Sequence, residues 1–266
     1  MRWSSLFVSL WRGVMPIVAG TAIVALSAVA QAGEVKVAVA ANFTQAAKEI
    51  GSLFEKATGH KVVFSFGSTG QLYTQITQDA PFEVFLAADQ ARPKRAVDDG
   101  LAVPNSRFTY ATGKIVLFSN DPGLVRGEAT LRDGKFQKIA IANPKTAPYG
   151  AAAVETMKAL GVYERLSARI VQGNNIAQTY QFVETGNAEL GFVALSQVAD
   201  RDGGSRWLVP DKLYSAIAQD AVLLKWGANN AAAVAFLDFM KGPEARTVKE
   251  KYGYGAGARP PVDASS

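Results

Sequence analysis

From Glu34 onward the chain alternates two hydrophobic periods. Glu34 to Val39 sets apolar residues at every second position, the period of a half-buried strand. Phe43 to Lys56 then places Ala46, Ala47, Ile50, Leu53 and Phe54 on one helical face, and Gly59 closes it. Lys61 to Phe66 reads as a strand and Gln71 to Gln78 as a short helix, followed by an apolar strand from Phe82 to Ala87. Further strands are predicted over Lys114 to Ser119, Lys138 to Ala142 and Leu190 to Leu195. Helices are predicted over Gly150 to Leu160, Ile176 to Glu184 and Ala231 to Met240, with a last one after Gly242-Pro243 that runs to Tyr252. Such alternation predicts α/β layering with mostly parallel strands.

In open α/β sheets ligands bind beyond the carboxyl ends of the strands. Four of the predicted strand-to-helix turns hold small, hydroxyl or amide residues. They are Ala40 to Thr44, Phe66 to Gly70, Asn143 to Gly150 and Gly173 to Ile176. A helix start carries unpaired N–H groups and the positive end of the helix dipole, so turns that converge make an anion receptor. Between them these turns contain one cation, Lys145, and no carboxylate, Cys or His. That chemistry suits an oxyanion held by neutral donors. The spacing suits a cleft between lobes, with 33–113 plus 219–266 forming lobe I and 114–218 forming lobe II. The segment Tyr214 to Lys225 is expected to cross back between them.

The first segment has a different character. Arg2 and Arg12 precede an apolar run from Val14 to Ala30, and Ala30-Gln31-Ala32 gives a small-x-small site before Gly33. This predicts a cleaved secretory signal peptide over 1–32 and a periplasmic mature chain. A membrane anchor is the alternative, since the run approaches the ~17-residue lower limit of a spanning helix. Removing two arginines and no acid takes the formal charge from +5 to +3. No basic run is interleaved with aromatics, which argues against nucleic-acid binding. The chain has no cysteine, so neither a disulfide framework nor thiolate chemistry is available.

The motifs, taken in order, carry a resemblance. Val39-Ala40-Ala41-Asn42-Phe43, Phe66 to Leu72, Ala87-Ala88-Asp89, Ala147-Pro148-Tyr149-Gly150, Leu190 to Ala194 and Met240 to Ala245 follow the order seen in periplasmic molybdate-binding proteins. The likeness covers essentially the whole mature chain. It implies a two-lobed, type II periplasmic-binding fold, with no cofactor, that hands molybdate or tungstate to the membrane permease of an ABC importer. A monomer is expected.

Carried over by position, the anion contacts fall on Asn42, on Thr69 with Ser68 beside it, and on the backbone N–H groups of Tyr149 and Ile176. Some relatives add a tyrosine hydroxyl where this chain has Ala194, which leaves the Ala41 N–H or Asn175 as a fifth donor. Molybdenum would enter only inside its oxyanion, without direct metal ligands.

Each of these residues also has a plain reading. Asn42, Ser68 and Thr69 are good helix caps, Pro148 suits a first helical turn, and Asn174-Asn175 could be only a turn. Asp89 reads as structural, because a carboxylate beside a dianion would repel it. Another oxyanion such as sulfate is the alternative ligand, and a secreted protein-binding module a further alternative. A hydrolase is disfavoured, since Ser68 has no base nearby. The single histidine, His60, sits at a helix end, and clustered metal ligands are lacking.

Overall fold

The structure is a computed structural model that describes residues 32–256. The predicted signal peptide, but for its last residue, lies outside the described residues. In chain order the strands are β1 (Glu34–Ala40), β2 (Lys61–Gly67), β3 (Val84–Leu86), β4 (Phe108–Gly113), β5 (Ile115–Ser119), β6 (Ile139–Ala142), β7 (Ile170–Gly173), β8 (Leu190–Ala194), β9 (Ser205–Leu208), β10 (Ile217–Leu223) and β11 (Gly255–Ala256). The helices are α1 (Thr44–Thr58), α2 (Thr69–Thr77), α3 (Ala91–Asp98), α4 (Glu128–Asp133), α5 (Pro148–Ala159), α6 (Tyr163–Leu166), α7 (Ile176–Glu184), α8 (Leu195–Val198), α9 (Ala231–Phe239) and α10 (Pro243–Lys251).

The strands form two sheets, ordered β11-β4-β10-β3-β1-β2 and β7-β6-β8-β5-β9. This is the two-lobed α/β fold that the sequence predicts. Each sheet is buried on both faces by helices, so its inner strands read as apolar runs rather than alternating ones. All five residues of β5 and of β8 are buried, and all four of β6. In the first sheet Val35, Val37, Val39 and Leu86 pack with Phe43, Ile50, Phe54 and Phe236. In the second Leu117, Ile139 and Phe192 pack with Ala153, Met157 and Leu166.

Parallel pairing fixes where the cleft lies. β1 pairs with β2 in parallel, and Ala40 sits beside Gly67 at the carboxyl ends. β6 pairs with β7 in parallel, and Ala142 sits beside Gly173. The four turns singled out above therefore leave their sheets as two adjacent pairs.

Three expectations need correction. Only four of the nine strand pairings are parallel, because β10 and β5 run antiparallel to their neighbours and β11 runs antiparallel to β4. The segment Tyr214 to Lys225 is mostly β10, a strand inside the first sheet, and Ile217 and Ala218 belong to that sheet, pairing with Gly113 and Thr112. Asn42 is not a helix cap. It lies inside a 3-10 turn over Ala41–Phe43 that precedes α1, and α1 starts without a side-chain cap.

Candidate functional site

Where the two sheets face each other, a small cavity is lined from one side by Ala40 to Asn42, Gly67 to Thr69 and Ala88. Ala147, Pro148, Tyr149 and Ile176 line it from the other. No charged side chain is among them. The apolar core runs on through this contact, since Ala40, Ala41 and Ala88 pack in one cluster with Ala147, Tyr149 and Ile176. An anion here would be shielded from water, which strengthens every hydrogen bond it receives.

The main chain supplies the donors. Thr69 and Ile176 are the first residues of α2 and α7, and Tyr149 is the second of α5. An N–H at such a position has no acceptor within its own helix. None of the three is bonded to another backbone group among the described residues. Proline at the first position of α5 has no N–H to offer, so Tyr149 presents the first donor of that helix.

The two adjacent hydroxyls have different roles. Thr69 Oγ1 accepts the Ala88 N–H at 3.0 Å, which holds its oxygen and leaves its proton free to donate. Ser68, by contrast, is the N-cap of α2. Its hydroxyl donates to Gln71 Oε1 at 2.8 Å and receives the Gln71 N–H at 3.4 Å. The single Ser68 proton is thereby committed, and only the Ser68 backbone remains for a ligand. Asn175 is likewise a cap, accepting the Gln178 N–H at 3.0 Å, and it does not line the cavity. Ala41 does line it. Ala194 is fully buried and does not line it, so that strand end brings no donor.

Asn42 is 3 % exposed and lines the cavity, with its side-chain amide turned into a polar network behind it. Nδ2 donates to Gln219 Oε1 at 2.9 Å and to Tyr254 OH at 3.1 Å. Gln219 in turn meets Tyr110 OH and Tyr149 OH. Ser196 Oγ and Tyr254 OH both donate to the Asn42 carbonyl. Burial pushes the phenols of Tyr110, Tyr149 and Tyr254 above the usual tyrosine range, so all three stay neutral donors. Sequence reasoning missed Gln219, Tyr110, Tyr254 and Ser196. Their partners lie up to 212 positions away, and no local pattern signals them.

The lobes also touch directly at the rim. The Gly70 N–H donates to Thr146 O at 2.8 Å. Arg92 Nη2 donates to Lys145 O at 3.1 Å, and its other guanidinium nitrogen is paired with Asp89. Asp89 also accepts the Arg92 N–H at 2.9 Å, and Lys145 contributes its carbonyl to the rim contact.

The family model for bacterial extracellular solute-binding proteins matches residues 35–255. The chain belongs to that family. Among its relatives, the molybdate-binding protein ModA of Rhodobacter capsulatus is 58 % identical over 87 % of this chain and 92 % of its own length. ModA of Escherichia coli strain K12 is 30 % identical over 87 % of this chain and 92 % of its own. The periplasmic molybdate-binding protein of Azotobacter vinelandii superposes with a TM-score of 0.80 at 42 % identity, covering 83 % of this chain and 98 % of that one. For a solute-binding protein, a cleft joined by contacts from both lobes is the expected place for the solute. Among the described residues no cluster of His, Asp and Glu is placed to hold a metal ion, and no helix is long and apolar enough to cross a membrane.

Proposed function

We propose that this protein captures molybdate, and tungstate alike, in the periplasm and delivers it to the permease of an ABC importer. It is a binding protein, not an enzyme. The observation that carries the reading is the cavity itself: three unpartnered helix-start N–H groups and a free Thr69 proton, drawn from both sheets, with no charged side chain among them. The contacts we assign fall on five places: Thr69, through its hydroxyl and N–H with the Ser68 backbone beside it, the N–H groups of Tyr149 and Ile176, Asn42, and the Ala41 N–H as the fifth. Lobe I comprises 33–113 plus 219–266, with Ile217 and Ala218 added from β10, and lobe II comprises 114–216. The chain acts as a monomer once the signal peptide over 1–32 is cleaved.

Charge-assisted hydrogen bonds contribute ~1.5–3 kcal/mol each. Several of them, less the costs of ordering and desolvation, reach the roughly −8 kcal/mol of micromolar binding. Contacts to both lobes form only when the lobes meet, so the ligand favours the closed form. Titration calorimetry with molybdate, tungstate, sulfate and phosphate tests the assignment. Molybdate and tungstate should bind about equally and far more tightly than the others. Hydrogen phosphate would bury a proton among groups that are nearly all donors. Tight phosphate or sulfate binding would overturn the molybdate reading. Small-angle scattering should show compaction on saturation.

A further inference from the structure

Behind the cleft, two amides and three phenols share a small number of protons. Gln219 Oε1 accepts from Asn42 Nδ2 at 2.9 Å and lies 3.0 Å from Tyr110 OH. Gln219 Nε2 donates to Tyr149 OH at 3.2 Å. The second Asn42 Nδ2 proton goes to Tyr254 OH at 3.1 Å. In this arrangement both donors of Asn42 are spent inside the protein. The opposite end of the same planar group, the acceptor Oδ1, is what remains for the cavity. Tyr149 OH, fully buried, receives a proton, and its own finds no acceptor among the described residues.

Reversing both amides together changes that balance. Gln219 Nε2 would then face Asn42 Oδ1 and Tyr110 OH, and the Tyr110 proton would go to Ala87 O, 3.1 Å away. Gln219 Oε1 would accept the Tyr149 proton. Tyr254 OH would donate to Asn42 through Oδ1 or the carbonyl, which Ser196 Oγ already reaches at 2.8 Å. Every proton of the network gains an acceptor, and Asn42 Nδ2 turns to the cavity as a donor. Neither amide can reverse alone, because that would set acceptor against acceptor or donor against donor between Asn42 and Gln219.

We propose that Gln219, which is fully buried and does not line the cavity, is a positioning residue that holds Asn42 with its amide donor toward the cavity. This rests on the oxyanion reading above. With the pair in the reversed state the cavity presents an added donor and fits a fully deprotonated tetrahedral dianion. In the other state it presents an acceptor, which suits an anion that keeps a proton. The Tyr149 phenol, neutral and facing Gln219, favours the donor state because only that state accepts its proton. Gln219 thus selects for the protonation state of the ligand.

Nuclear Overhauser contacts from the Gln219 side-chain amide, read in the isotope-labelled protein, test this directly. They should reach the Tyr110 ring both without anion and with saturating molybdate. Contacts to the Tyr149 ring while calorimetry shows molybdate bound would overturn the positioning role alone. Failure of the unaltered protein to bind molybdate would overturn both this inference and the assignment it rests on. Gln219→Glu offers oxygen acceptors only and holds Asn42 in its donor-inward state, so molybdate affinity should fall at least 100-fold. Gln219→Met, which leaves Asn42 free to turn, should cost about 5-fold. Equal losses for the two variants would count against the positioning role.

Discussion

Gly70→Ala should weaken anion binding strongly without harming the fold. Gly70 is the second residue of α2, where a helical backbone accepts alanine, and its N–H meets Thr146 O at 2.8 Å across the cleft. A methyl carbon at this position would stand 2.9 Å from Thr146 Cα and 3.1 Å from both Thr146 Cβ and Arg92 Nη2. Carbon atoms pack at ≈ 3.5–4.0 Å, so the rim must part by most of an ångström before the lobes settle. Forcing a methyl into a close-packed contact costs typically ~1–3 kcal/mol. The lost hydrogen bond adds ~0.5–1.5 kcal/mol. Together these penalise the closed form by about 2–4 kcal/mol, or roughly 30- to 700-fold in affinity at ~1.4 kcal/mol per tenfold. The open form is spared, and replacing a helical glycine lowers the entropy of the unfolded chain by ~0.4–1 kcal/mol. Calorimetric titration with molybdate, paired with thermal melts of the anion-free protein, separates the two effects. Affinity should drop at least 30-fold while the melting temperature holds or rises. Unchanged affinity would show that Gly70 and Thr146 do not meet in the bound state, and the reasoning from rim contact would fail.

Other substitutions divide binding from stability. Thr69→Ala should weaken molybdate binding by ~1–3 kcal/mol, and it should also lower the melting temperature, since it leaves the Ala88 N–H without its 3.0 Å partner. Ser68→Ala should do the reverse, costing ~1 kcal/mol of stability through the lost cap in denaturant titrations while affinity changes little. Lys249 is largely buried, which lowers its pKa to about 8 from 10.5. The unfolded chain therefore binds more protons between those values, and stability should rise as pH climbs from about 8 toward 9.5. Thermal melts of Lys249→Met should lack that rise. Above pH ~10 the buried tyrosines act in the opposite sense, so the comparison belongs below it.

Much of this architecture was legible in the sequence because its signals are local. The strand from Glu34 and the helix closed by Gly59 follow from period and capping alone, whereas α5 starts at Pro148, two residues before the Gly150 start predicted, which brings Tyr149 inside it. What stayed hidden depends on contacts between distant residues. β10 carries Gln219 and Asp220 in its middle, both buried, and two polar residues in succession break a strand pattern. They are tolerated because Asn42, Tyr110 and Tyr149 meet Gln219 while Arg107, Thr109 and Gln90 meet Asp220. Ser68 and Thr69 look equivalent in sequence. Their roles diverge because α2 starts at Thr69, which turns one hydroxyl to its own helix and the other to Ala88. Asn42 read as a cap by its type, yet tertiary partners claim its amide and the short turn around it needs none.

A site whose donors are peptide N–H groups has a particular evolutionary character. Substituting Tyr149 or Ile176 exchanges a side chain and leaves the donor in place, and proline is the one coded residue that deletes it. Selection on the solute then bears on the path of the main chain rather than on residue identity at those positions. Lineages can drift far in the wording of these turns while their clefts keep the same chemistry. Mutational scans should find Ile176 tolerant of most replacements of similar volume and intolerant of proline, while Tyr149 keeps a further demand for the phenol that meets Gln219.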